Sequence, residues 1–237
     1  MTLHSPRLEA EQASHSPMAN VSVRALRSIA SSNRARVALI CFPCAGASAS
    51  FYDPWRHHWG ETEDVYAVQL PGREDRFGEQ RFACPGALAE TVALEIADRL
   101  PDLPLVVFGH SFGALVAFET ALALLRLEHT GPHHILVSSR IAPHLPFNSG
   151  LQATFDDNRM IRGLSDMEFE PRALLGNADL LRMFLPVLRS DLILNDGSTR
   201  GPAQPLSCPV TIIAGTVDRL APPHLMQGWR HHTVGKF

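Results

Sequence analysis

The string Gly109-His-Ser-Phe-Gly113 sets one serine between two glycines, directly after the apolar run Leu105–Phe108 and at the head of a long apolar stretch from Phe112. A serine on a sharp strand-to-helix turn has its Oγ lifted above a sheet. Glycines on either side let neighbouring backbone approach without a Cβ in the way. A hydroxyl held like this is suited to attack a carbonyl, and Ser111 is the candidate nucleophile. The attack creates an oxyanion that needs N–H donors. One candidate is the backbone N–H of Phe112, at a helix N-terminus where the helix dipole assists. The second is the backbone N–H of Ala45, in the loop Phe42-Pro-Cys-Ala-Gly-Ala47 that follows an earlier apolar run.

A nucleophile of this kind also requires a base and an acid to orient it. Asp218, in Gly215-Thr-Val-Asp218, follows the last apolar run and is the candidate acid. No base is assigned from the residues alone. His224 comes too soon after Asp218, behind Pro222-Pro223. His231 and His232, near the end of a short helical stretch beside Trp229, read as surface histidines.

The elements that must position these groups are legible from periodicity. Val37–Phe42, Val65–Leu70, Leu105–Phe108, Ile135–Ser138 and Val210–Ala214 are short apolar runs bounded by turn residues, the pattern of buried strands. Pro85–Leu100 carries Leu88, Val92, Ile96 and Leu100 at helical spacing, and Phe112–Leu127 is a strongly apolar helix. A short helix is predicted over Phe51–Trp59. Strands alternating with helices imply crossover connections, hence a mainly parallel α/β sheet with helices on both faces. The rhythm breaks over residues 140–196, where helical patterns near Asp166–Leu175 and Ala178–Leu194 suggest a helical lid insertion above the sheet. Residues 1–33 are rich in Ser, Ala, His and Arg with weak periodicity and read as a flexible extension. Residues 34–237 then form one domain.

Composition excludes several classes. A net charge of −3 gives no general attraction to nucleic acid or anionic membrane. No apolar run reaches the roughly 18 residues that span a bilayer, and no signal-peptide pattern opens the chain, so a cytoplasmic location is expected. Cys41 and Cys44 form a C-x-x-C string with Pro43 inside it, Cys84 and Cys208 stand apart, and free thiols are the favoured reading over a redox or zinc site. No metal or cofactor is required.

Taken together, several strings resemble the type II thioesterases that accompany non-ribosomal peptide synthetases and polyketide synthases, within the α/β-hydrolase superfamily. They are Phe42-Pro-Cys-Ala-Gly-Ala47, Gln69-Leu-Pro-Gly-Arg-Glu-Asp-Arg76, Gly109 to Glu119, Ser139-Arg-Ile-Ala-Pro-His144, Leu185-Pro-Val-Leu-Arg-Ser-Asp191, Cys208-Pro-Val210 and Gly215 to Asp218. The resemblance runs from about Val37 to Phe237. It implies a Ser-Asp-His triad in which Ser111 and Asp218 hold the matching positions. It also implies a base in a Gly-x-His-Phe segment that follows a further strand, beyond Phe237, so the C-terminal strand and helix of the fold are expected to be missing here. The implied reaction is hydrolysis of acyl thioesters. The implied partner is an acyl or peptidyl carrier protein bearing phosphopantetheine, from which aberrant acyl groups are removed. A carboxylester hydrolase, or an impaired chain that only binds carrier protein, is the alternative. Arg73 and Arg76 are expected to brace their own loop through Glu74 or Asp75, Arg189 and Asp191 to be structural, and His144 to lie near the cleft mouth.

Overall fold

The computed structural model describes residues 25–167, 172–196 and 204–237. Six strands form one sheet in the order β1-β3-β2-β4-β5-β6: β1 (Leu26–Ala30), β2 (Val37–Phe42), β3 (Glu63–Val68), β4 (Leu105–His110), β5 (His134–Ser138) and β6 (Val210–Ile213). Strands β2 to β6 pair in parallel, and β1 lies antiparallel along β3. Alternation along each strand divides the core between two faces. In β2, Ala38, Ile40 and Phe42 join the larger core, and Leu39 and Cys41 join the smaller one.

Helices α1 (Pro85–Arg99) and α2 (Phe112–Arg126) cover the larger face. The α1 spacing seen in the sequence is the buried stripe Leu88, Val92 and Ile96. Helix α2 is buried nearly all round, because the sheet lies on one side and Trp229 packs edge-on against Phe118 on another. The short helix predicted over Phe51–Trp59 is a 3-10 helix, Ala49–His58, which closes the smaller face with Tyr52 and Trp55. Above the carboxyl ends of the strands lie α3 (Asp157–Asp166), α4 (Arg172–Leu175) and α5 (Ala178–Asp196), followed after β6 by α6 (Pro223–Met226) and a 3-10 turn over Gln227–His232.

Two elements differ from the sequence reading. Strand β1 falls within residues 1–33, so the folded part starts earlier than predicted; residues 1–24 lie outside those described. A register shift between Ser28 and Ala30 puts the buried Leu26 and Ile29 out of two-residue alternation, which hides the strand from periodicity. Helix α1 fastens it: the Glu95 carboxylate accepts the N–H groups of Ala25 and Leu26, and Arg99 donates to Leu26 O at 2.9 Å. In the lid, of the helix predicted near Asp166–Leu175 the described part is α4, residues 168–171 lying outside those described, and a further helix, Asp157–Asp166, precedes it. Asp156 caps it by accepting the Arg159 N–H at 2.8 Å, and Met160 and Leu164 are its buried positions. The predicted second lid helix is present as α5.

Candidate active site

Ser111 sits between β4 and α2 at φ 53°, ψ −118°, a backbone conformation that a side-chain-bearing residue adopts at a cost of about 1–3 kcal/mol. Neighbouring backbone holds it there. Its N–H donates to Ser138 O at 2.8 Å, and its carbonyl accepts from Ala114 at 3.0 Å. The flanking glycines are required by space. A Cβ on Gly109 would lie 2.3 Å from Ala114 Cα, and one on Gly113 2.1 Å from Phe42 O. The turn therefore presses α2 directly onto β2 and β4, with Ser111 at its apex.

A cavity of about 280 Å³ opens over Ser111. Ala45, Phe112 and Asp218 line it together with Ser111, so all four residues singled out from the sequence meet in one cleft. Among the described residues, no protein group accepts the backbone N–H of Ala45 or of Phe112, whereas the neighbouring loop amides of Gly46 and Ala47 are taken by Asp191 and by Cys44 O. The loop after β2 and the N-terminus of α2 thus each bring an amide without a protein acceptor to the cleft that Ser111 lines.

Asp218 reaches the cleft because β6 runs parallel to β5, so the chain leaving Ile213 emerges on the same rim as Ser111. Its Oδ1 accepts the N–H groups of Leu220 and Ala221, each at 2.9 Å, which fixes the carboxylate's orientation. His224, His231 and His232 do not line the cleft. His232 is buried, contrary to the surface position predicted for it; its Nε2 lies 2.8 Å from His144 Nδ1, and Phe118 and Trp229 pack on its ring. His144 points to that partner rather than lining the cleft. Among the described residues the histidine that does line the cleft is His110, whose Nδ1 is 3.0 Å from Ser138 Oγ and whose ring stacks on Phe51. Burial lowers its pKa, and the nearby Asp218 carboxylate opposes that shift.

Cys44 shares the cleft, but burial pushes its thiol up to about 11. At neutral pH it is protonated and a poor nucleophile. Cys41 is buried, and neither forms a disulfide.

The remaining lining is largely apolar: Phe147, Leu151, Leu164, Met167, Leu188 and Leu192, all from the lid and its approach. Sequence reasoning assigned no substrate-binding residues. The signal available was the apolar stripe of α5, whose two faces serve packing and cleft alike. Among the described residues no arginine or lysine lines the cleft. The arginines of the quoted strings are engaged elsewhere. Arg73 pairs with Asp191 of α5 rather than with Glu74 or Asp75, and Arg76 pairs with Glu79 and donates to Gln69 O. Arg189 holds the lid's entry segment through Ala153 O, Phe155 O and Asp157.

A family model described as a thioesterase domain matches residues 37–237. The chain belongs to the thioesterase family. Among similar proteins, a probable cadicidin biosynthesis thioesterase of Streptomyces griseus is 35% identical over 85% of this chain, which spans 55% of that protein. The gramicidin S biosynthesis protein GrsT of Aneurinibacillus migulanus is 32% identical over 86% of this chain and 79% of its own. Among solved structures, the RedJ thioesterase of the prodiginine pathway in Streptomyces coelicolor superposes with a TM-score of 0.82 at 33% identity, over 92% of this thioesterase and 85% of RedJ. YbtT, a type II thioesterase of the yersiniabactin pathway, gives 0.79 at 29% identity, over 90% and 88%. The sheet and helices of this thioesterase are those of the α/β-hydrolase fold, and among the described residues no helix is long and apolar enough to cross a membrane.

Proposed function

We propose that this thioesterase hydrolyses acyl thioesters by covalent catalysis at Ser111, releasing acyl groups from the phosphopantetheine arm of carrier proteins in non-ribosomal peptide or polyketide synthesis. The observation that carries the reading is the meeting of Ser111, two unoccupied amides and Asp218 in one apolar-walled cleft. Ser111 Oγ attacks the thioester carbonyl while a histidine takes its proton. The N–H groups of Ala45 and Phe112 hold the tetrahedral oxyanion. The sulfur leaves as a thiol with that proton, and water hydrolyses the acyl-serine by the same route. Asp218 holds the histidine's tautomer and stabilises its charged form.

The names of the relatives support the substrate class, and the absence of cationic groups from the described cleft wall suits an uncharged acyl chain. The base is, on the resemblance, the histidine of a Gly-x-His-Phe segment rather than His224, His231 or His232, none of which lines the cleft. Loss of thioester turnover in a folded variant carrying His231→Ala with His232→Ala contradicts this account of the base.

The substrate assignment is tested by comparing acyl-carrier-protein thioesters with p-nitrophenyl esters of the same acyl chain. A higher kcat/KM on the thioester is expected. Equal or better use of the ester indicates a carboxylester hydrolase. Binding of acylated carrier without release of acid, and without modification of Ser111, indicates a binding protein.

A further inference from the structure

Helix α5 is built into the loop that carries Ala45. Gly46, at φ 78°, has Phe184 of α5 so close that a Cβ would lie 2.6 Å from its ring, with Leu188 beyond. The carboxylate of Asp191 accepts the Gly46 N–H at 2.7 Å. Arg73, from the loop after β3, meets the same carboxylate with both terminal nitrogens, at 2.9 and 2.8 Å, and donates from Nη1 to Ala47 O at 2.8 Å. Both charged side chains are buried, at 5% and 1% exposure. A buried ion pair adds little net stability relative to an apolar pair of similar size. What this one does is geometric: a fixed fork grips the backbone on both sides of Ala45's neighbour, from a helix and a loop remote in sequence.

We propose that Arg73 and Asp191 are positioning residues that hold the backbone N–H of Ala45 toward the oxyanion over Ser111, so that seating of α5 assembles the oxyanion site. The inference rests on the proposed function of Ser111 and extends it. Ala45 itself packs against both the main core and the lid core, so the amide lies at the seam between them. Displacing α5 removes the acceptor from Gly46 and the ceiling from the loop together, and an amide rotated by tens of degrees no longer reaches its anion. Loss of one such donor lowers kcat by about 10²–10³.

An alkyl boronic acid tests this without requiring turnover. The serine hydroxyl adds to boron and loses its proton to solvent, leaving a tetrahedral anion that occupies the oxyanion site. A thioether analogue of the substrate, which has no electrophilic carbonyl, reports ground-state binding. In Asp191→Asn and in Arg73→Lys, boronate affinity should fall by about 10-fold or more while thioether affinity stays within about 2-fold, since one amide donor is lost from the anion alone. Unchanged boronate affinity in the folded variants, or equal loss of both ligands, overturns the proposal. Failure of the wild-type chain to bind boronate in a Ser111-dependent way overturns the underlying reading as well, and is recognised by Ser111→Ala giving the wild-type result. Should neither variant fold, hydrogen exchange at the Gly46 amide of the wild-type chain decides. Protection equal to that of the C-terminal half of α5 is expected, and exchange at the rate of an open loop overturns the coupling.

Discussion

Ser111 combines a left-handed backbone, a fixed N–H and an open face toward a cleft, and each has a separate physical cause: the pressed glycines, the Ser138 carbonyl and the lid's apolar wall. Two substitutions isolate its partners. Asp218→Asn keeps an Oδ1 that accepts from Leu220 and Ala221, so the melting temperature should barely move. Catalysis that uses a histidine should nevertheless fall by about 10⁴, because the orienting charge is gone. Steady-state kinetics beside thermal denaturation checks both halves. Ser111, Phe112, Ala45 and Asp218 were legible because each is attached to a strand end, and strand ends in a parallel sheet share a rim. The Arg73–Asp191 pair was not legible. Nothing in sequence links residues so far apart, and Glu74 and Asp75 offered nearer partners.

At the scale of elements, the site depends on how closely α2 and α5 approach the sheet and its loops. Gly113→Ala places a methyl group 2.1 Å from Phe42 O, a backbone atom that cannot swing aside. The strand and helix must separate, and a loss of about 3 kcal/mol or more in urea unfolding is expected, with activity lost in parallel. The cleft wall offers a subtler change. Replacing Met167, an exposed lid residue that lines the cleft, by Trp fills acyl space without unseating α5, so kcat/KM should drop more for long acyl chains than for acetyl, as a chain-length series would show. Five strands and the helices α1, α2 and α5 could be read from their apolar runs or spacing because each is buried, along a stripe in α1 and nearly all round in α2. Strand β1 could not, since its register shift breaks alternation and much of its hold comes from Glu95 and Arg99. The lid helix over Asp157–Asp166 was missed because only Met160 and Leu164 mark its buried side, too few apolar positions to stand out.

The molecule as a whole should respond to acid through the histidines behind α2. Burial, with His144 and His231 close by, lowers His232 to about 4. The unfolded chain, with a histidine near 6.5, binds a proton that the folded chain refuses. Stability is thus complete above about pH 6.5 and falls as pH drops toward 4, by on the order of 2 kcal/mol. Replacing His232 with Asn should flatten that part of the pH–stability curve, measured by denaturant midpoint at each pH. The central claim is that one hydroxyl carries the chemistry. Its most direct test is incubation of the purified chain with a fluorophosphonate, followed by peptide mass spectrometry. The account predicts a single adduct on Ser111 that disappears in Ser111→Ala. An adduct on Cys44 or another residue, or acyl release that persists in Ser111→Ala, would contradict it.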